Sequence, residues 1–74
     1  MNLSIGNKVR WESAAGFRVG TIKNIVLSPA ANETITPWID IEYLVQISDS
    51  YHLRSVRLCA SDSYLKGMRV SIVA

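Results

Sequence analysis

Apolar and polar residues alternate along this chain with a period of two, not the 3.6 of a helix. The clearest run is Ile39 to Ile47. Ile39, Ile41, Tyr43, Val45 and Ile47 fall on one face, and Asp40, Glu42, Leu44 and Gln46 on the other. This alternation predicts a strand with one buried face, long enough to curve around a small core. In an earlier strand Val9 and Trp11 share a face, with Lys8 and Arg10 opposite. Val19 to Leu27 is rich in β-branched residues, but its alternation breaks at Ile25-Val26-Leu27, which predicts a bulge or a strong bend there. Two further strands are expected over Leu53–Leu58 and Met68–Val73. In the latter, Met68, Val70 and Ile72 alternate with Arg69, Ser71 and Val73.

Turn residues separate these runs. Ala14-Ala15-Gly16 divides the first two strands, and Pro29 stops the second. Ser28 to Pro37 reads as a polar loop of about ten residues, long for a compact domain and therefore a candidate contact region. Ser48-Asp49-Ser50 is a hairpin turn. Ser61 to Gly67 begins with helix-start residues and meets a glycine after one turn, so a short α or 3₁₀ turn is expected before the last strand. Five short strands, one helical turn and no βαβ spacing predict an all-β fold, a small five-stranded antiparallel barrel formed by residues 1–74 as one domain. Closing the sheet is the economical way for so few residues to bury one face and shorten exposed edges.

Composition narrows the function. The 49% apolar share is too high for a disordered segment. Eight Lys and Arg against six Asp and Glu give a formal charge of +2, which permits nucleic-acid binding without driving it. With one cysteine, Cys59, and one histidine, His52, an internal disulfide and multi-Cys or His-pair metal sites are excluded. No run resembles a signal peptide or reaches the ~18 apolar residues of a membrane span, so a cytoplasmic protein is expected.

The opening Gly6-Asn7-Lys8-Val9-Arg10-Trp11-Glu12-Ser13, followed by Gly20-Thr21-Ile22, resembles the start of SH3-like and Tudor-like barrels. Gly6 would turn the chain into the first strand, and Gly20 would let the second strand pass close beneath its neighbour. The nearest similarity is to the small bacterial Tudor-like domain called hypervirulence-associated, over about Gly6 to Leu65. That resemblance implies the fold and an interaction role without a settled biochemistry. Domains of this kind often travel on mobile bacterial DNA or phages. The plasmid-borne type II dihydrofolate reductases are also similar. Their Val-Gln-Ile-Tyr pore motif looks like Val45-Gln46-Ile47-Ser48. Here, however, the glutamine falls on the third strand rather than the fourth, where the chain reads Ser55-Val56-Arg57-Leu58-Cys59, and the tyrosine is replaced by Ser48 or Cys59, depending on alignment. An enzyme is therefore not expected, nor is a cofactor.

Four sets of residues could carry chemistry. His52 could act as a base toward Cys59 or Ser50, oriented by Asp49 or Asp62; the simpler reading is a polar turn residue and a small core thiol. Asp40 and Glu42 share a face and could serve acid–base chemistry or hold a divalent cation, or form a solvated face paired to Arg54, Arg57 or Lys23. Tudor-like barrels that recognise methylated Lys or Arg use an aromatic cage, for which Trp11, Phe17, Trp38 and Tyr51 are candidates. Trp11 and Tyr43 read equally as core, and Trp38 as an anchor for the long loop. Lys8, Arg10, Arg54, Arg57 and Arg69 would serve a weak nucleic-acid interface. Leu44 and Val73 fall on otherwise polar faces and would form an apolar patch if exposed, making a homo-oligomer natural. The expected function is a non-enzymatic interaction module. It would bind a protein partner or itself through the Ser13–Val19 and Ser28–Trp38 regions, with Trp11, Phe17, Arg18, Trp38 and Tyr51 as contacts.

Overall fold

A computed structural model describes residues 2–29 and 35–73. Its elements run β1 (Lys8–Ser13), β2 (Gly16–Pro29), β3 (Ile35–Ile47), β4 (Ser50–Cys59), α1 (Asp62–Gly67) and β5 (Ser71–Val73). The five strands form one antiparallel sheet in the order β4-β3-β2-β1-β5. β1 to β4 make a meander, and the chain then crosses through α1 to lay β5 along the free side of β1. Among the described residues the sheet stays open, with β4 and β5 at its two edges. The expected all-β architecture is thus present, whereas closure into a barrel is not observed.

The core lies on one face, called inner here. Val9 and Trp11 of β1, Ile22 of β2, Ile39 and Ile41 of β3 and Leu58 of β4 are buried there. Leu65 of α1 and Val70 complete the cluster, so the helix covers the inner face on its way from β4 to β5. Each such side chain contributes on the order of 1.5–3 kcal/mol by leaving water. In β1 the alternation predicted from Lys8 to Trp11 appears as strict exposed–buried alternation. In β3 burial fades along the strand. Ile39 and Ile41 are fully buried, Tyr43 and Val45 half-buried, and Ile47 exposed.

That gradient has a geometric cause. β2 pairs with β3 from Pro29↔Ile35 to Thr21↔Glu42, and beyond that point its remaining residues pair with β1 alone. β3 and β4 continue without it as a two-stranded arm, from Tyr43↔Arg54 to Ile47↔Ser50. The described residues extend 46 × 23 × 18 Å with a radius of gyration of 13.1 Å. A compact chain of this length would give roughly 11 Å. Where the strands part, Gly20 is essential. A Cβ there would stand 2.5 Å from Ile41 Cγ2 and 2.6 Å from the Glu42 carbonyl oxygen.

Several boundaries depart from the sequence expectations. The bulge lies at Lys23, between the Ile22↔Ile41 and Asn24↔Asp40 pairs, and not at Ile25-Val26-Leu27. One extra residue at Lys23 moves Ile25 onto the face of Ile22, after which pairing is regular. The expected Ser28–Pro37 loop is shorter, because Ser28 and Pro29 pair with Thr36 and Ile35, and Pro37 with Leu27. Residues 30–34 of that loop lie outside the described residues. Pro37 is tolerated because its carbonyl accepts from Ala60 N–H at 2.8 Å, which turns its nitrogen toward β4's side, beyond Cys59. No bond to β2 is lost. β4 begins at Ser50, earlier than the expected Leu53, and β5 spans only Ser71–Val73 instead of Met68–Val73. Met68 caps the helix and its carbonyl accepts from Glu12 N–H, while Arg69 turns with φ +53°.

Candidate interaction surface

Exposed apolar residues lie on both faces, Leu27, Ile47 and Ile72 on the inner one, and those of the outer face gather where β2 leaves β3. Leu44 and Leu53 stand opposite each other on the arm and are 64% and 63% exposed. Val19, on the part of β2 that has left β3, is 52% exposed. Together with Gly20, Thr21, Glu42, Tyr43, Lys8 and Lys23 these three line a cleft of about 370 Å³ where the strands part. Lys23 and Glu42 form an exposed ion pair of 3.7 Å at its lip. Tyr51, also on the arm's outer face, is exposed, as is Phe17.

The expected contact residues distribute unequally. Trp11 is 2% exposed and packs edge-on against Tyr43, with ring centroids 5.5 Å apart. It belongs to the core, the alternative that the period-two pattern left open. Arg18 lies half-buried with its guanidinium 5.2 Å from the Tyr43 ring, so its charge is drawn to the inner face. Phe17 is covered on one side by Arg10, whose Cζ sits 3.9 Å from the ring centroid. Trp38 is half-buried and pairs with Val26 and Cys59. Tyr51 pairs with Gln46, eight residues along β3 from Trp38, or about 27 Å at strand rise. The four candidate cage rings therefore do not converge. Only Phe17 and Tyr51 remain exposed on the outer face.

The basic candidates are likewise dispersed. Arg57 makes a bidentate pair with Asp40, at 2.7 and 3.0 Å. Arg69 pairs with Glu12 at 3.3 Å. Lys8 and Arg10 lie on the outer face of β1, and Arg54 on the inner face of the arm. The candidate cation-binding carboxylates are thus used by cations of this chain, Asp40 by Arg57 and Glu42 by Lys23. The Arg57 guanidinium holds the Asp40 carboxyl below its usual range, chiefly by hydrogen bonding. Among the described residues no cluster of three or more His, Cys, Asp or Glu could hold a metal.

The Cys–His pairing is excluded by geometry. His52 and Cys59 are seven residues apart on the same strand, roughly 24 Å. They also point to opposite faces. The Cys59 thiol donates to Ser61 Oγ at 3.4 Å, and the Ser61 hydroxyl and backbone N–H, by favouring the thiolate, hold its pKa below the ordinary value. Among the described residues no helix is long and apolar enough to cross a membrane.

Leu53 and Val19 were not singled out in the sequence, although a signal existed. Leu53 is five positions from Leu58 and Val19 three from Ile22. Both are odd separations, which put one member of each pair outside in a regular strand. No protein-family model, curated protein or solved structure matches the chain.

Proposed function

We propose that this chain is a non-enzymatic interaction module of SH3-like, Tudor-like design, which binds a protein partner or a second copy of itself through the outer face of its arm. The observation that carries the reading is the group Val19, Leu44 and Leu53, exposed around the cleft where β2 leaves β3. Apolar side chains grouped in this way on a small domain mark a contact surface more often than a solvated face. The strand order, the return of β5 to β1 after a helical turn, and Gly20 at the parting of the strands support the SH3-like assignment. The Ser13–Val19 segment contributes Phe17 and Val19 to this face. Much of the Ser28–Trp38 segment lies outside the described residues.

Nucleic-acid binding has less support, since two of its five cations are held in ion pairs and the others lie on both faces. Light scattering from micromolar to millimolar concentration, beside a salt titration with generic DNA and RNA, tests the proposal. Association that persists in high salt supports an apolar contact. A steep fall in DNA or RNA affinity with salt would replace it by a phosphate contact.

A further inference from the structure

The outer edge of β4 is a second surface, and it does not depend on the apolar face. Ala60 N–H donates to the Pro37 carbonyl of β3, at 2.8 Å. In an antiparallel ladder the backbone groups of alternate residues point the same way, so Leu58, Val56, Arg54 and His52 also face β3. The N–H and C=O groups of Tyr51, Leu53, Ser55 and Arg57 consequently point away from the sheet, in a row with a repeat of about 6.8 Å. β4 is the terminal strand, and every residue from Ser50 to Ser55, and Arg57, is exposed. It runs ten residues with neither proline nor bulge, two of the devices that usually blunt an edge.

The charge of this strand selects what can pair with it. β4 contains His52, Arg54 and Arg57 and no Asp or Glu. Arg57 is engaged by Asp40, whereas Arg54 and His52 have no ion-pair partner among the described residues. A second copy pairing antiparallel through the middle of β4 would bring the unpaired Arg54 of each chain toward that of the other, so self-pairing is opposed. We infer that the edge of β4 accepts an extended acidic segment of a partner protein as an added antiparallel or parallel strand. Backbone hydrogen bonds to Tyr51, Leu53, Ser55 and Arg57 would hold it, and its carboxylates would meet the Arg54 guanidinium, with a ring N–H of His52 as a further donor.

The test uses the full chain, labelled with ¹⁵N, and two synthetic ten-residue peptides, one alternating threonine with glutamate and the other threonine with lysine. Amide exchange followed by NMR should slow by tenfold or more at Tyr51, Leu53, Ser55 and Arg57 with the glutamate peptide. It should be unchanged at His52, Arg54 and Val56, whose N–H groups already face β3. Ser55→Pro removes an outward N–H that the β3 ladder does not use, and should abolish the protection. Arg54→Glu should weaken binding on the order of tenfold. Leu44→Ser, which alters the apolar face and not β4, should leave peptide binding as it was, so the two surfaces are separated. Equal binding of the lysine peptide overturns the inference. So does the absence of alternate protection, or protection that grows with protein concentration alone, which would make a second copy the occupant.

Discussion

At the scale of single residues, Gly20 and Asp40 carry the sharpest consequences. The inner side of β2 meets β3 so closely at Gly20 that even a methyl group collides with the Glu42 backbone, which cannot rotate away. Gly20→Ala should therefore cost about 1–3 kcal/mol, where an exposed strand glycine would gain from the same change. Urea unfolding of the two proteins measures it, and an unchanged midpoint would mean that the strands do not approach at this point. Asp40 acts through charge. Its carboxyl is held below the usual range by Arg57, so the folded state binds that proton less readily than the unfolded chain does. The pair's contribution is thus present above the ordinary carboxylate pKa and is lost as pH falls through the lowered value. Asp40→Asn should be less stable than the parent at neutral pH, and the gap should close on acidification. Unfolding curves over a pH series would show it, and a gap that persisted in acid would assign the loss to packing.

At the scale of elements, legibility followed periodicity. β1 and the Ile39–Ile47 part of β3 were readable because strict alternation leaves one choice of face. The position of the bulge was not. A single inserted residue changes the face of everything after it, and Lys23 is as polar as an outward residue should be. The pairing of Ser28–Pro29 with Ile35–Thr36 was hidden for a different reason. Prolines and polar residues signal a loop unless a neighbouring strand uses only the backbone groups that they retain. The arm was legible as a hairpin, but its separation from β2 depends on where β2 turns to β1, a tertiary property. Its turn makes a prediction. Ser48 adopts φ +56°, a left-handed conformation that costs a non-glycine residue on the order of 1 kcal/mol. Ser48→Gly relieves that strain and loses part of the gain to unfolded-chain entropy, for a net stabilisation of about 0.5 kcal/mol. A shift of the urea midpoint to higher concentration without a change in slope is the expected result.

At the scale of the whole molecule, the buried core and the exposed apolar group of the outer face occupy different parts of one sheet. Among the described residues, the eight buried core residues all lie outside the arm tip, in β1, β2, the first half of β3, the end of β4, α1 and Val70. The tip instead holds Leu44, Leu53 and Tyr51, all exposed, and no core residue. A two-stranded hairpin of this kind has little stability of its own and takes its order from the sheet below. Replacing residues 44–53 by Asn-Gly, to close Tyr43 onto Arg54 through a two-residue turn, should therefore leave a folded protein. The half-buried Val45 is the main apolar loss, so the cost should be about 1 kcal/mol. Association through the outer face should disappear, because Leu44 and Leu53, two of the three exposed apolar residues that line the cleft, have gone. Circular dichroism and urea unfolding report the first outcome and sedimentation velocity the second. If the shortened chain unfolds, the arm is structural and its apolar residues are core displaced from the cluster. If it folds and still associates, the contact lies elsewhere on the sheet. A folded chain that no longer associates leaves the arm as a contact element, carried by a core that does not need it.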